Sequence, residues 1–134
     1  MKIKLLTTIM LTSVLTACQL ISPIFVNYNG VRMDVAKWIN QQTLLSMQQK
    51  RSLVQLSKAQ QKLVRIENIS DEQKINISVE NSIAMHCANL HLNAKKIDQL
   101  QNQIFGENEK SRILKKFNQE FPKPKLDVKM IQCE

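Results

Sequence analysis

Three cysteines and two histidines carry most of the chemistry this sequence offers, and three of these five residues lie close together: His86, Cys87 and His91. Cys87 and His91 are four apart, so a helix would place both on one face, as zinc ligands often are. His86 and His91 are five apart and diverge. Structural zinc sites draw four ligands, usually from two close pairs. Only one close pair is present here, with Cys133 far along the chain. The expectation is therefore no metal and no cofactor. Two carboxylates of one stretch, Glu80 and Asp98, would stand about 27 Å apart along a continuous helix, too far for paired acid–base work. The chain has no G-x-S-x-G, no glycine-rich phosphate loop and no H-E-x-x-H. The sequence points away from an enzyme.

The remaining cysteine, Cys18, stands in the segment SVLTACQL. Lys2 and Lys4 give a basic start, Leu5 to Val14 an apolar run diluted by Thr7, Thr8, Thr12 and Ser13, and Leu15-Thr16-Ala17 a small-residue end. That layout is a secretory signal; a membrane span needs roughly 20 apolar residues. Leu15-Thr16-Ala17-Cys18 resembles the lipobox of bacterial lipoproteins. The resemblance covers residues 1–19. It implies a diacylglyceryl group on the Cys18 thiol, cleavage before Cys18 and acylation of the new amine. One acyl chain binds a bilayer marginally, at roughly 0.8 kcal/mol per methylene, whereas two or three hold firmly. Gln19, where an aspartate would retain such a protein at the inner membrane, implies the outer membrane and its periplasmic face. The alternative is an ordinary signal peptide cut after Ala17, leaving Cys18 free.

With Cys18 taken by lipid, Cys87 and Cys133 are left, and an oxidising compartment makes a disulfide between them the expectation. Closing a loop of that size is worth about 3–4 kcal/mol in the chain-entropy model.

The elements that must position these residues read as helices. From Asp34 to Asn68 there is no glycine or proline, and Trp38, Leu45, Leu53, Leu56, Ala59, Leu63 and Ile66 recur at helical steps. One helix roughly 50 Å long is expected there. Ser70 with Gln73 fits a capping box, opening a second long helix whose stripe is Ile75, Val79, Ile83, Cys87, Leu90, Ala94, Ile97, Gln101 and Ile104, stopped by Gly106. Ile113, Leu114, Phe117 and Phe121 mark a third helix, from about Asn108, ended by Pro122. Leu126, Val128 and Met130 alternate in the tail, which reads as extended. The fold class is all-α: a long antiparallel helical hairpin, a shorter third helix and an extended C-terminal tail. The alternative is a small α+β domain with strands near 74–80 and 125–132. The expected organisation is a signal peptide at 1–17, a lipid anchor and tether at 18–33, and a helical domain at 34–134.

The 134-residue chain carries a formal charge of +8; beyond Lys2 and Lys4, 17 basic and 11 acidic side chains leave +6. Arg51, Lys58, Lys62 and Arg65 are spaced seven, four and three, a basic stripe that suits anionic lipid, lipopolysaccharide phosphates or an acidic partner. Nucleic acid is not expected, since no stacking aromatics accompany the cations. Tyr28 and Trp38 lie near the anchored end and suit either a lipid interface or a core. Leu53, Leu56, Ile83 and Leu90 would line a hairpin groove able to accept a partner helix. In format the chain is similar to secretin pilotins and other small acylated assembly lipoproteins, with none of their sequence motifs. The expected function is that of a lipid-anchored envelope protein that binds or stabilises another envelope component. The alternative is a surface-facing binding or inhibitor lipoprotein.

Overall fold

The computed structural model describes residues 28–134. Five helices follow one another: α1 (Met33–Asn40), α2 (Met47–Gln61, prolonged by the 3-10 turn Lys62–Arg65), α3 (Asp71–His91), α4 (Ala94–Phe105) and α5 (Glu107–Glu120). The tail ends in irregular backbone with a 3-10 turn at Val128–Met130. The fold is all-α. Among the described residues there is no strand; residues 74–80 lie inside α3. The alternation of Leu126, Val128 and Met130 is not a strand face either, since Val128 and Met130 are exposed.

Each expected long helix is two. The first breaks after Asn40 through a turn, and α2 restarts at a capping box: the Ser46 hydroxyl accepts from the Gln49 amide, and the Gln49 side chain accepts from the Ser46 amide. The second breaks at Leu92-Asn93, where the Asn93 side chain caps α4 by accepting from the Lys96 amide. The Ser70–Gln73 capping box opens α3 as its spacing predicts. α5 runs one residue ahead of expectation at each end and stops before Pro122.

α2 is the central helix. It packs on α1, α3 and α4, and Lys50, Ser52, Leu53, Val54, Leu56, Ser57, Ala59 and Gln60 are all buried. Its most extensive partner is α3, which presents Ser78, Asn81, Ala84, Cys87 and Ala88. These residues are small or polar. Of the apolar stripe read along α3 only Cys87 lies on that packed face, and Ile75 and Leu90 are exposed. Small side chains let two helix backbones approach, and buried hydroxyls can bond back to the helix, as the Ser57 hydroxyl does by donating to the Leu53 carbonyl. The apolar core is completed by Ile97, Leu100 and Ile104 of α4, Ile113 and Phe117 of α5, and Phe121, whose ring lies 4.8 Å from that of Phe117. Tyr28 and Val31 already pack on this core, so the packed body extends N-terminal to residue 34.

Two positions carry local consequences. Lys50 is 1% exposed, and among the described residues its ammonium donates a single long bond, 3.5 Å, to the Asn40 carbonyl. A buried polar head so weakly satisfied costs more than an apolar one of equal length. Lys50→Met is expected to keep or raise stability, by about 1 kcal/mol, in a urea melt. Gly106 joins α4 to α5 with φ 78° and ψ 145°, backbone that only glycine adopts without strain. A Cβ there would touch nothing within 4 Å, so the cost is conformational alone. Gly106→Ala should lower the unfolding free energy by about 2 kcal/mol, with no change in the helical circular dichroism of the folded state.

Candidate functional site

Cys87 and Cys133 are joined, with Cα atoms 5.5 Å apart, across 46 positions of sequence. α3 holds Cys87 fully buried. Delivery of Cys133 begins at the end of α5, where the Ser78 hydroxyl of α3 donates to the Pro122 carbonyl at 2.5 Å. The last residues then lie along α2. The Gln55 side chain donates to the Gln132 carbonyl (3.5 Å) and accepts from the Glu134 amide (3.4 Å), and the Gln48 side chain donates to the Glu134 carbonyl (2.8 Å). The tail is therefore a strap across α2 and α3, fixed by one covalent bond and several polar ones.

The basic stripe is divided by this arrangement. Lys58 pairs with Glu134 at 3.4 Å and Lys62 pairs with Glu80 of α3. Arg51 and Arg65 stay exposed, with no carboxylate partner among the described residues. Lys58 and Lys62 form a ridge between two clefts. One, about 270 Å³, has Ala59, Ile83 and Ala84 on its floor and Glu134 at its edge. The other, about 620 Å³, is walled by Val31, Val64 and Ile77 and edged by Arg32, Lys58, Lys62 and Arg65.

Sequence spacing did not single out Arg32. Its guanidinium donates to Asp34 (2.6 and 2.8 Å) and to the carbonyls of Gln103 (2.9 Å) and Ile104 (3.1 Å). It thereby satisfies carbonyls at the end of α4 that no intrahelical donor reaches. The hydrogen bond from Arg32 holds the Asp34 carboxyl below its ordinary range, and the same bond raises Arg32. Gln61 ties this entry segment to α2: its side chain accepts from the Arg32 amide (2.6 Å) and donates to the Gly30 carbonyl (2.9 Å).

The other sequence candidates disperse. Cys87 is consumed by the disulfide, and among the described residues no three His, Cys, Asp or Glu side chains converge as a metal site would need. Glu80 and Asp98 lie on different helices, and each binds a lysine, Asp98 with Lys110 at 2.5 Å. Trp38 is half-buried against the core with the Lys96 ammonium 5.7 Å from its ring centre. The Tyr28 hydroxyl is buried without a hydrogen-bond partner among the described residues, and burial raises its pKa. Leu53 and Leu56 cannot line a partner groove: both are fully buried by α2's own neighbours. The large apolar side chains left in water at that end are instead Leu44 (96% exposed), Met47 and Leu90 (61%). Leu44 precedes α2, Met47 opens it, and Leu90 on α3 is next to His91, whose carbonyl accepts from the Gln49 side chain.

Cys18, the expected lipidation site, lies outside the described residues. Among the described residues no helix is long and apolar enough to cross a membrane. Comparison with known protein families, with curated proteins and with solved structures finds no match for this chain.

Proposed function

We propose that this chain is a small lipoprotein of the bacterial outer membrane, anchored through Cys18 on the periplasmic face, that works by binding or stabilising another envelope component. One observation carries the reading. The Cys87–Cys133 bond accounts for two of the three cysteines, and the cysteine it leaves over is the one that follows Leu15-Thr16-Ala17. A buried disulfide also suits export to an oxidising compartment. The partner surface is the region at the start of α2, where Leu44 of the preceding loop, Met47 of α2 and Leu90 at the end of α3 are all exposed.

Mass spectrometry of protein purified from membranes tests the anchor: an N-terminal Cys18 bearing acyl chains is expected, and an unmodified thiol or uncleaved leader overturns it. Photo-crosslinking from position 44 in living cells tests the partner surface. A discrete crosslinked envelope protein, lost in Leu90→Lys, supports it; equal products from an exposed control position such as Lys115 count against it. Protease added to intact cells separates the two faces of the membrane, since digestion of the body would mean surface display.

A further inference from the structure

We infer that the 620 Å³ cleft edged by Arg32, Lys58, Lys62 and Arg65 is the face the body lays against the bilayer, where it takes the phosphates of anionic phospholipid headgroups. This rests on the lipid anchor proposed above and adds which surface the anchor presents. Four observations converge on it. The cleft is both basic and apolar, with Val31, Val64 and Ile77 as its walls, the pairing that a phosphate above acyl chains needs. Val64 of the cleft and Met33, next in sequence to the cleft residue Arg32, are exposed, at 45% and 71%. Arg65 has no carboxylate partner among the described residues, so the cleft keeps a net positive charge, and the Lys62–Glu80 pair is half-exposed. Exposed pairs of that kind hold weakly, which lets a lysine exchange its carboxylate for a phosphate.

The fourth observation concerns where the chain enters the body. Gly30, Val31 and Arg32 line this cleft, and Gln61 pins them to the C-terminal end of α2. Tyr28 is ten positions beyond Cys18, a reach of at most about 35 Å. The cleft is thus the part of the body closest along the chain to the anchor. An acidic protein segment could satisfy the same cations, but nothing would then place the cleft beside the lipid. Leu44 and Met47 lie at the other end of α2, roughly 20 Å away, so position 44 reports on a surface remote from the cleft.

The test uses the acylated protein in a Trp38→Phe background, with one tryptophan introduced at a time: Val64→Trp at the cleft, Met33→Trp next to the cleft residue Arg32, Leu44→Trp at the far end. Each is reconstituted into vesicles of phosphatidylethanolamine with brominated phosphatidylglycerol, or of brominated phosphatidylcholine alone. Quenching at 64 and 33 but not at 44, strong in the anionic vesicles and weak in the zwitterionic ones, is the expected result. Arg65→Gln should lower the seated-to-unseated ratio about fivefold, and added salt should do the same. Quenching that is absent at both 64 and 33, equal at all three, or indifferent to lipid charge overturns the assignment. If Cys18 carries acyl chains and the cleft is not quenched, only this face assignment fails. If Cys18 is bare, the anchor reading and this one fall together.

Discussion

Replacing Cys133 with serine lowers the unfolding free energy by about 4 kcal/mol, as the chain-entropy model gives for a loop of this length. The loop it reopens spans 46 positions and encloses α4 and α5. For a body of about this size, each kcal/mol moves the midpoint by roughly 4–8 °C, so the melt should fall by well over 10 °C. Cys133→Ser is the cleaner substitution of the two. It leaves Cys87 as a buried thiol, which behaves as a small apolar group. Cys87→Ser instead puts a hydroxyl at a position with no exposure, and it should cost about 1 kcal/mol more. Thermal and urea melts followed by circular dichroism check both, with reductant on the parent protein as a third arm. A loss below about 1 kcal/mol for Cys133→Ser would mean that the polar contacts of Gln48 and Gln55 hold the tail unaided.

Leu56→Ala should cost about 3 kcal/mol, and its meaning goes beyond a packing defect. Leu53 and Leu56 would line a partner groove if α2 were one wall of an open hairpin. In the folded body both have no exposure, because α1, α3 and α4 all pack on α2. The substitution must therefore act on the isolated protein, leaving a cavity inside α2's surroundings. A urea melt of purified protein gives the cost directly. If Leu56→Ala melts like the parent and yet abolishes capture of a partner in cells, the central placement of α2 is wrong.

How much of this was legible in the sequence depends on what kind of force set each feature. Helix ends written in local chemistry were readable: Ser70 with Gln73, Gly106, and Pro122 after α5. Ser46 with Gln49 has the same capping spacing as Ser70 with Gln73, and it marked the break before α2 for a reader who did not require a glycine or proline. The break at Leu92-Asn93 was hidden by its own periodicity, since Leu90, Ala94 and Ile97 continue a helical stripe across it. Tertiary packing chose otherwise, burying Leu92 and exposing Leu90. The centrality of α2 was not legible. Its amino-acid content is largely polar, and only the assembled neighbours reveal that Lys50, Ser52, Ser57 and Gln60 face inward. The basic stripe shows the same limit. Its spacing is helical and real, but Glu80 and Glu134, which take up Lys62 and Lys58, come from another helix and from the tail.

The strap also changes how the molecule comes apart. Its irregular stretch from Pro122 to Asp127, where Lys123 and Lys125 are exposed, lies inside the covalent ring closed by Cys87 and Cys133. Trypsin cutting after Lys125 would therefore release nothing: the two pieces remain one particle of unchanged mass apart from a water, migrating as a single band until a thiol is added. In an oxidising compartment such a nick is tolerated, and the clipped protein keeps α1 through α5 in place.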